Sequence, residues 1–576
     1  MKIKHLLLGL LLAFLAVIYT IYVWKGSFDG DEFQHSHFAW LIWNGYVPYV
    51  DFFEHHSPAY HLISSPVFAF GGGAGLIFVL RALSLVCTAC VVLMVYLMSR
   101  RRLENGVFPS WFGACLLVAA PIFFMKMCEA RPEPLALLCY MLSVFLLTGP
   151  AKTHPRRNIL LAGLFGSLAV LISTKYVFAI FGVIACAVLL NGFSSLVFLG
   201  AGALLPCVAL AAWLFARGAL HAFVQSAIFL NMDWKYHFSP AGYSVEAFTY
   251  SGPLVVIGVA GIFWTVHEKH GARQSLAWLA LLAGGIAGIL FVPVPYKQTF
   301  LPVFPILAIG AATFIEYLGH SLRQASPAIE TRNSNVEIRN KMEINETSNG
   351  SGFFSRLFRA SHFEFRILHN IPGAGGVSLV FSILLLSCIA PGVSNILRQL
   401  KDTNASDLAL IRKVESIDPA PGPVFDGRGL MFYRPHVGRH ACMHDEIQLM
   451  INTGEYVQDV NGSLSANNFP VVIRDFRVEK MPTPILSFIS ANYRPTDDGR
   501  ILVPGISIDR SKLAGRAASV NIPASGTYRV SWRGSELLLN GASVKNHSEV
   551  KLVKGSQTVE AKGFVDKLEF ILVKRQ

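Results

Sequence analysis

Acids, histidines and aromatics crowd into residues 28–61, which read FDGDEFQHSHFAWLIWNGYVPYVDFFEHHSPAYH. The stretch holds the carboxylates Asp29, Asp31, Glu32, Asp51 and Glu54 and the imidazoles His35, His37, His55, His56 and His61. It follows directly on an apolar segment. Ionisable groups beside lipid-embedded helices are costly to hold there, which makes them functional candidates. A carboxylate against an acceptor hydroxyl can take its proton, given contact and a suitable pKa. The bland alternative is a solvated loop with an interfacial aromatic belt.

Three more groups interrupt otherwise apolar sequence: Glu129, Arg131 and Glu133; then Lys175; then Tyr296 and Lys297, followed by Gln298. Arginine neutralises a phosphate through a bidentate fork and lysine as a point charge. With a carboxylate base nearby, these are the groups that sugar transfer from a lipid phosphate requires. Each also has a structural reading. Asp31 and Glu32 can complement a helix N-terminus. Glu129, Arg131 and Glu133 can form a local ion pair. Lys175 can snorkel to head groups. Tyr296 and Lys297 can anchor an interface.

The elements that must position these groups are mostly apolar helices. The 576-residue chain is 53% hydrophobic and only 15% charged, with a mean hydropathy of +0.47, as in a polytopic membrane protein with a polar part. Eleven stretches are apolar over the roughly 17–25 residues that span a bilayer: about 5–24, 75–98, 107–127, 132–149, 158–174, 176–192, 194–216, 249–267, 274–292, 297–318 and 375–393. The pair across 158–192 also reads as one long helix broken at Ser173–Lys175. The N-terminal run starts basic but is too long for a signal peptide, and no small-x-small cleavage site follows it. It is expected to remain as the first span.

The net charge of +13 sits largely in short loops. Lys2, Lys4 and His5, and the loops at 99–102, 151–157, 267–273 and 319–372, all fall on one side of the expected membrane. The alternate loops are poorer in Lys and Arg, so the positive-inside rule is met throughout. This favours topology over nucleic-acid binding as the source of the charge. It places the N-terminus in the cytoplasm and the four chemical groups outside. The sign pattern fits a bacterial inner membrane with a periplasmic active face. The nine cysteines show no CxxC or zinc spacing and read as small core residues.

The expected organisation is a membrane core over 1–320, a cytoplasmic polar linker with an interfacial helix over 321–372, and a last transmembrane helix over 373–394. An extracytoplasmic mixed α/β region follows over 395–500. A β-rich region over 501–576 alternates in YRVSW, EVKLV and KLEFILV, as an antiparallel sandwich or barrel does. His436, His440 and His444 are spaced by four, but Pro435 and Gly438 argue against one helix there, and a strand and turn against the membrane domain is expected.

The chain resembles the GT-C-fold membrane glycosyltransferases, the broad family of the protein O-mannosyltransferases and the bacterial lipid A aminoarabinose transferase. Asp31-Glu32 resembles the family's acidic motif in its first external loop. The run Asn44-Gly45-Tyr46-Val47-Pro48-Tyr49-Val50-Asp51-Phe52, then His56-Ser57-Pro58-Ala59-Tyr60, resembles the Gly, Pro-Tyr, acid and Pro-turn that follow. Arg131-Pro132-Glu133 is similar to the family's Arg-x-Asp, with Glu where Asp is usual. Thr174-Lys175 and Tyr296 with Leu301-Pro302 and Pro305 resemble its later motifs. The resemblance covers about residues 1–320.

It implies a GT-C-like domain of about eleven transmembrane helices and a polyprenyl-phosphate sugar donor. The sugar would pass, with inversion, to a hydroxyl on an acceptor lipid, glycan or protein at the outer face. Asp31 and Glu32 would be catalytic. Arg131, Lys175 and Lys297 would hold the donor phosphate. Asp51, His55, His56, Tyr60, Glu133 and Tyr296 would contact substrate. The absence of a Gly-rich nucleotide fingerprint or P-loop agrees. The five histidines could ligate a divalent metal, but their spacing is no metal signature and no metal ligand is assigned. A transporter or flippase of lipid-linked glycans is the competing reading. It would favour charges within spans and an internal repeat.

Overall fold

The structure, a computed structural model, describes residues 2–103, 106–149, 154–233, 240–267, 272–292, 296–325, 374–439, 443–454, 459–509 and 517–576. The linker and interfacial helix expected within 321–372 lie almost wholly outside these residues, as does His440.

Among the described residues, eight helices are long and apolar enough to cross a membrane, and a ninth if one bent pair is a single span. The first four helices are α1 (Lys2–Lys25), α2 (Gly30–Trp43), α3 (Ala59–Ser64) and α4 (Leu76–Arg102). The third expected span is broken into α5 (Val107–Val118) and α6 (Pro121–Cys128), bent by 70°. Pro121 lacks an N–H and holds Ala120 extended, which ends α5 and restarts the helix in a new direction. Pro132 repeats the device. It opens α7 (Pro132–Thr148), an apolar helix shorter than a full span, and leaves Arg131 extended in the turn before it.

Helices α8 (Pro155–Ile172) and α9 (Val177–Asn191) are separate, joined by the 3-10 turn Thr174–Tyr176. Helix α8 packs on α10 (Ser195–Ala216) through facing glycines. A Cβ on Gly163 would stand 2.0 Å from the Leu199 carbonyl oxygen, and one on Gly202 only 1.9 Å from that of Leu160. Small residues let membrane helices approach this closely. The helices Pro240–His267, Ala272–Phe291, Val303–Ala325 and Ala374–Gln399 complete the described bundle.

The polar part that follows is antiparallel. One sheet runs β1-β3-β10-β5-β8, with β2 on β3: β1 Val472–Ile473, β2 Tyr493–Pro495, β3 Ile501–Asp509, β5 Gly526–Gly534, β8 Ser548–Leu552 and β10 Val565–Arg575. The other runs β4-β9-β6-β7: β4 Ala518–Ile522, β6 Leu537–Leu539, β7 Ala542–Val544 and β9 Gly555–Ala561. Tyr528, Val530 and Phe570 of the first share a core with Val520, Leu537 and Val559 of the second. Alternation in the sequence therefore maps onto one buried face per strand.

This domain is clasped to the bundle. Asn404 donates its N–H to Lys25 O at 3.1 Å and its side-chain amide to Trp24 O at 2.9 Å, and Ser27 N–H reaches Asp402 O at 3.1 Å. His37 of α2 meets the Phe432 carbonyl at 2.9 Å. Helix α2 is thus enclosed between membrane helices and polar domain, with residues 32–39 all buried.

Candidate active site

One end of the bundle holds a cavity of about 680 Å³, lined by both parts of the chain. Asp29 and Asp31 reach it from the start of α2. Asp29 caps that helix in a reciprocal pair: its side chain accepts from Asp31 N–H, and Glu32 accepts from the Asp29 N–H. Arg131 reaches the cavity from the Pro-dictated turn, Lys175 from the 3-10 turn, and Tyr296, Lys297 and Gln298 from the segment before the last span of the core.

Arg131 is the hub, with only 2% of its side chain exposed. Its Nη2 lies 2.8 Å from Asp31 Oδ2, and its Nη1 3.4 Å from both Asp29 Oδ1 and Glu129 Oε2. Its Nε donates to Glu133 Oε2 at 3.2 Å. Glu133 Oε1 in turn accepts from Lys175 Nζ at 3.0 Å. The Gln298 amide, oriented with its oxygen toward the cations, accepts from Lys175 Nζ at 2.8 Å and Arg131 Nη2 at 3.1 Å. Lys126 bridges Asp29 at 3.0 Å and Glu129 at 2.9 Å. Lys175 and Arg131 thus aim two donors at the Gln298 oxygen on the cavity wall, where an anion oxygen could take its place.

Electrostatics separates the acids. Burial pushes the Glu129 carboxyl up to about 7; Lys126 opposes this and Asp29 adds to it. Burial also disfavours charge on Asp29, but Arg131 and Lys126 outweigh it and hold that carboxyl well below its ordinary value. Burial drives His55 down to about 3 and His56 to about 4, the first helped by His56 and the second by Lys175. Both imidazoles on the wall are neutral at neutral pH.

Asp31, Arg131, Lys175, Lys297, His55, His56 and Tyr296 all line the cavity. The other four expected residues do not. Glu32 is 0% exposed and points the opposite way: it accepts from Arg81 at 2.6 and 2.7 Å and from Ala130 N–H at 2.7 Å. Arg81 also donates to the carbonyls of Val23, Gly26 and Ser27, so this pair staples α1, α2 and α4 together. Glu32, expected to be catalytic, is thus placed in a buried ion pair and not on the cavity wall. Asp51 is exposed on a turn, where it accepts from Val47 N–H at 2.6 Å. Tyr60 is packed in the core behind the wall, facing His35. Glu133 acts from beneath, as a bridge between two cations. Lys297 lies on the far rim, 2.7 Å from Glu246.

Sequence reasoning missed part of the lining. Lys126 stands alone in the apolar run PIFFMKMC, and a lone charge in such a run is itself a signal. Gln298 was legible only as a neighbour of Lys297. Asp445, Glu446 and Arg477 come from the polar domain and carried no signal, and His444 stood out only for its spacing from His436 and His440. His444 is no part of a histidine helix: it precedes the helix Asp445–Thr453, and its Nε2 lies 3.2 Å from Gln34 Nε2.

A many-helix membrane bundle with an enclosed juxtamembrane helix and an antiparallel C-terminal domain defines a GT-C-type membrane fold. No protein-family model matches the chain, and no curated protein matches its sequence. Among solved structures it is similar to ArnT, the lipid A aminoarabinose transferase, from Cupriavidus metallidurans. The crystal structure of ArnT bound to undecaprenyl phosphate matches with a TM-score of 0.55 at 14% identity, over 86% of this chain and 97% of that one. The apo crystal structure of the same protein matches with a TM-score of 0.53 at 16% identity, over the same shares. At these identities the likeness concerns the fold. The resemblance in fold expected from the sequence is borne out, as is an integral-membrane protein.

Proposed function

We propose that the chain is a membrane glycosyltransferase that moves a sugar from a polyprenyl-phosphate donor to an acceptor hydroxyl, with inversion. The observation that carries this reading is the cavity in which a carboxylate, Asp31, sits 2.8 Å from a buried arginine beside Lys175 and Gln298. The likeness to a fold that binds undecaprenyl phosphate in ArnT supports the choice of donor. The acceptor oxygen attacks the anomeric carbon as the bond from that carbon to the phosphate oxygen breaks. The electron pair leaves with the phosphate and the hydroxyl proton passes to Asp31. Lys175 and Arg131, which share the Gln298 oxygen at rest, stabilise the charge that develops on the leaving phosphate. Lys297 meets the phosphate from the far rim. His55, His56 and Tyr296 contact sugar or acceptor, and Glu133 holds the two cations apart.

In this reading residues 1–320 and 373–394 are the membrane domain, and 395–576 an extracytoplasmic domain that closes the cavity. The N-terminus is cytoplasmic and the active face periplasmic, in a bacterial inner membrane. The arginines at 100–102 lie at the opposite end of α4 from the cavity, as that orientation requires.

The test is donor consumption in purified membranes, with polyprenyl-phosphate sugars from cell extracts. Release of sugar from the lipid, absent without the protein, supports the reading. Movement of intact glycolipid across the membrane without sugar release overturns it in favour of a flippase.

A further inference from the structure

Behind the His55–His56 wall lies a carboxylate, Glu54, to which the transfer reaction gives no role. Glu54 is 0% exposed. Its Oε1 accepts from the N–H groups of His55 and His56, each at 2.8 Å, and faces His56 Nδ1 at 2.8 Å. Its Oε2 is buried without any hydrogen-bond partner. The nearest imidazole on that side, His61 Nδ1, is 3.8 Å away, too far for a hydrogen bond. His55 Nδ1 stands 3.9 Å from Oε1. Among the described residues no lysine or arginine bridges Glu54; its only ion-pair neighbours are these three histidines.

A buried carboxylate without a cation is expensive to hold. Imidazoles that stay neutral offer lone pairs rather than charge, and one carboxylate with several imidazoles is a donor set that suits zinc. The spacing fits. Tetrahedral bonds of about 2.1 Å leave donor atoms about 3.4 Å apart. Around the one oxygen Oε1, the 3.9 Å gap of His55 closes slightly to meet this and the 2.8 Å contact of His56 opens slightly. One ligand atom from each of Glu54, His55 and His56 already falls within 4.8 Å of the others. An outer partner is present too: His61 Nε2 meets His35 Nδ1 at 3.0 Å, which fixes the ring and leaves Nδ1 facing the carboxylate.

We propose that Glu54, His55 and His56 bind one divalent transition-metal ion, zinc by its donors, with the fourth position left to water or to a shift of His61. The site is distinct from the Asp31–Arg131 cluster and does not depend on the transfer reading. Since His55 and His56 line the cavity, the ion would lock that wall and set a positive charge beneath it.

The experiment uses the full chain without a histidine tag, purified in detergent without chelator. Zinc content is measured by mass spectrometry. The ion is then exchanged for Co²⁺ and the visible spectrum recorded. The expected result is about one zinc per chain and the intense bands of four-coordinate Co²⁺. Glu54→Gln, which keeps the side chain's shape, lowers zinc affinity by about 100-fold or more. Asp51→Asn, on the exposed turn outside the cluster, keeps the ion. A metal-free wild type with only weak, six-coordinate cobalt binding overturns the proposal. So does zinc binding that Glu54→Gln leaves unchanged. The wild-type cobalt spectrum decides the question even if Glu54→Gln fails to fold.

Discussion

Asp31 Oδ2 lies 2.8 Å from Arg131 Nη2, so the proposed base and the central cation of the cavity share one charge-assisted contact. The pairing keeps Asp31 oriented before substrate arrives, and an acceptor hydroxyl would find the carboxylate already aimed. Asp31→Asn preserves shape and can still hydrogen-bond, but it cannot take a proton. Transfer is expected to fall by about 10²–10⁴-fold with membrane insertion unchanged. Initial rates at equal expression, with size-exclusion profiles as a control for folding, check this.

In the proposed reaction Lys175 holds the donor phosphate. Replacing it with Gln removes one charge-assisted hydrogen bond, about 1.5–3 kcal/mol, which corresponds to roughly a 10–150-fold rise in donor KM. Glu133 loses a partner in the same step but keeps Arg131 Nε at 3.2 Å. The double variant Lys175→Gln, Glu133→Gln relieves the unpaired acid. It should regain thermal stability without regaining donor affinity, which separates binding from folding.

Glu32 and Arg81 should behave differently from the cavity groups. Both are fully buried, and each is the other's charge partner. Glu32→Gln leaves the guanidinium uncompensated, at a cost of about 3–5 kcal/mol. The expected outcome is a lowered melting temperature in detergent, with the surviving folded fraction still active. Arg81→Met in the same chain should recover part of the loss, and a double-mutant cycle on melting midpoints measures the coupling.

His37 gives the joint between the two domains a pH dependence. Burial lowers its pKa to about 3, helped by His436, and its Nδ1 is committed to the Phe432 carbonyl. Its Nε2 is buried with no partner, so a second proton there would have nothing to bond. A folded pKa below the unfolded value of about 6.5 means stability that is complete above pH 6.5 and lost as pH falls toward 3. Melting temperature should therefore drop across that window, and His37→Gln should flatten the slope. Melting curves at half-unit pH steps, in wild type and variant, provide the comparison.

Much of the fold was legible because hydropathy records it: apolar runs became helices, and alternation in 501–576 became strands. The break at Pro121 was less visible, since an apolar count does not register a 70° bend. Within the site, Asp31, Arg131 and Lys175 could be singled out because each interrupts lipid-facing sequence. Glu32 could not be told from Asp31, because adjacent residues differ only in helix phase. One faces the cavity and the other Arg81, and nothing local states which. The contribution of the polar domain was hidden for another reason. Gln34 and His444 are 410 residues apart, and no periodicity spans that distance.

The cavity is lined from Tyr22 at one extreme to Arg477 at the other, with the Lys25–Asn404 clasp between them. During synthesis the early carboxylates emerge long before their last neighbours exist. At ~5–20 residues per second, the chamber stays open for roughly half a minute or more. Competence is therefore a late event in biogenesis. On the proposed reading, a nascent chain holding every membrane helix is still an inert intermediate, and transfer waits until the polar domain folds back onto the first turn of α2.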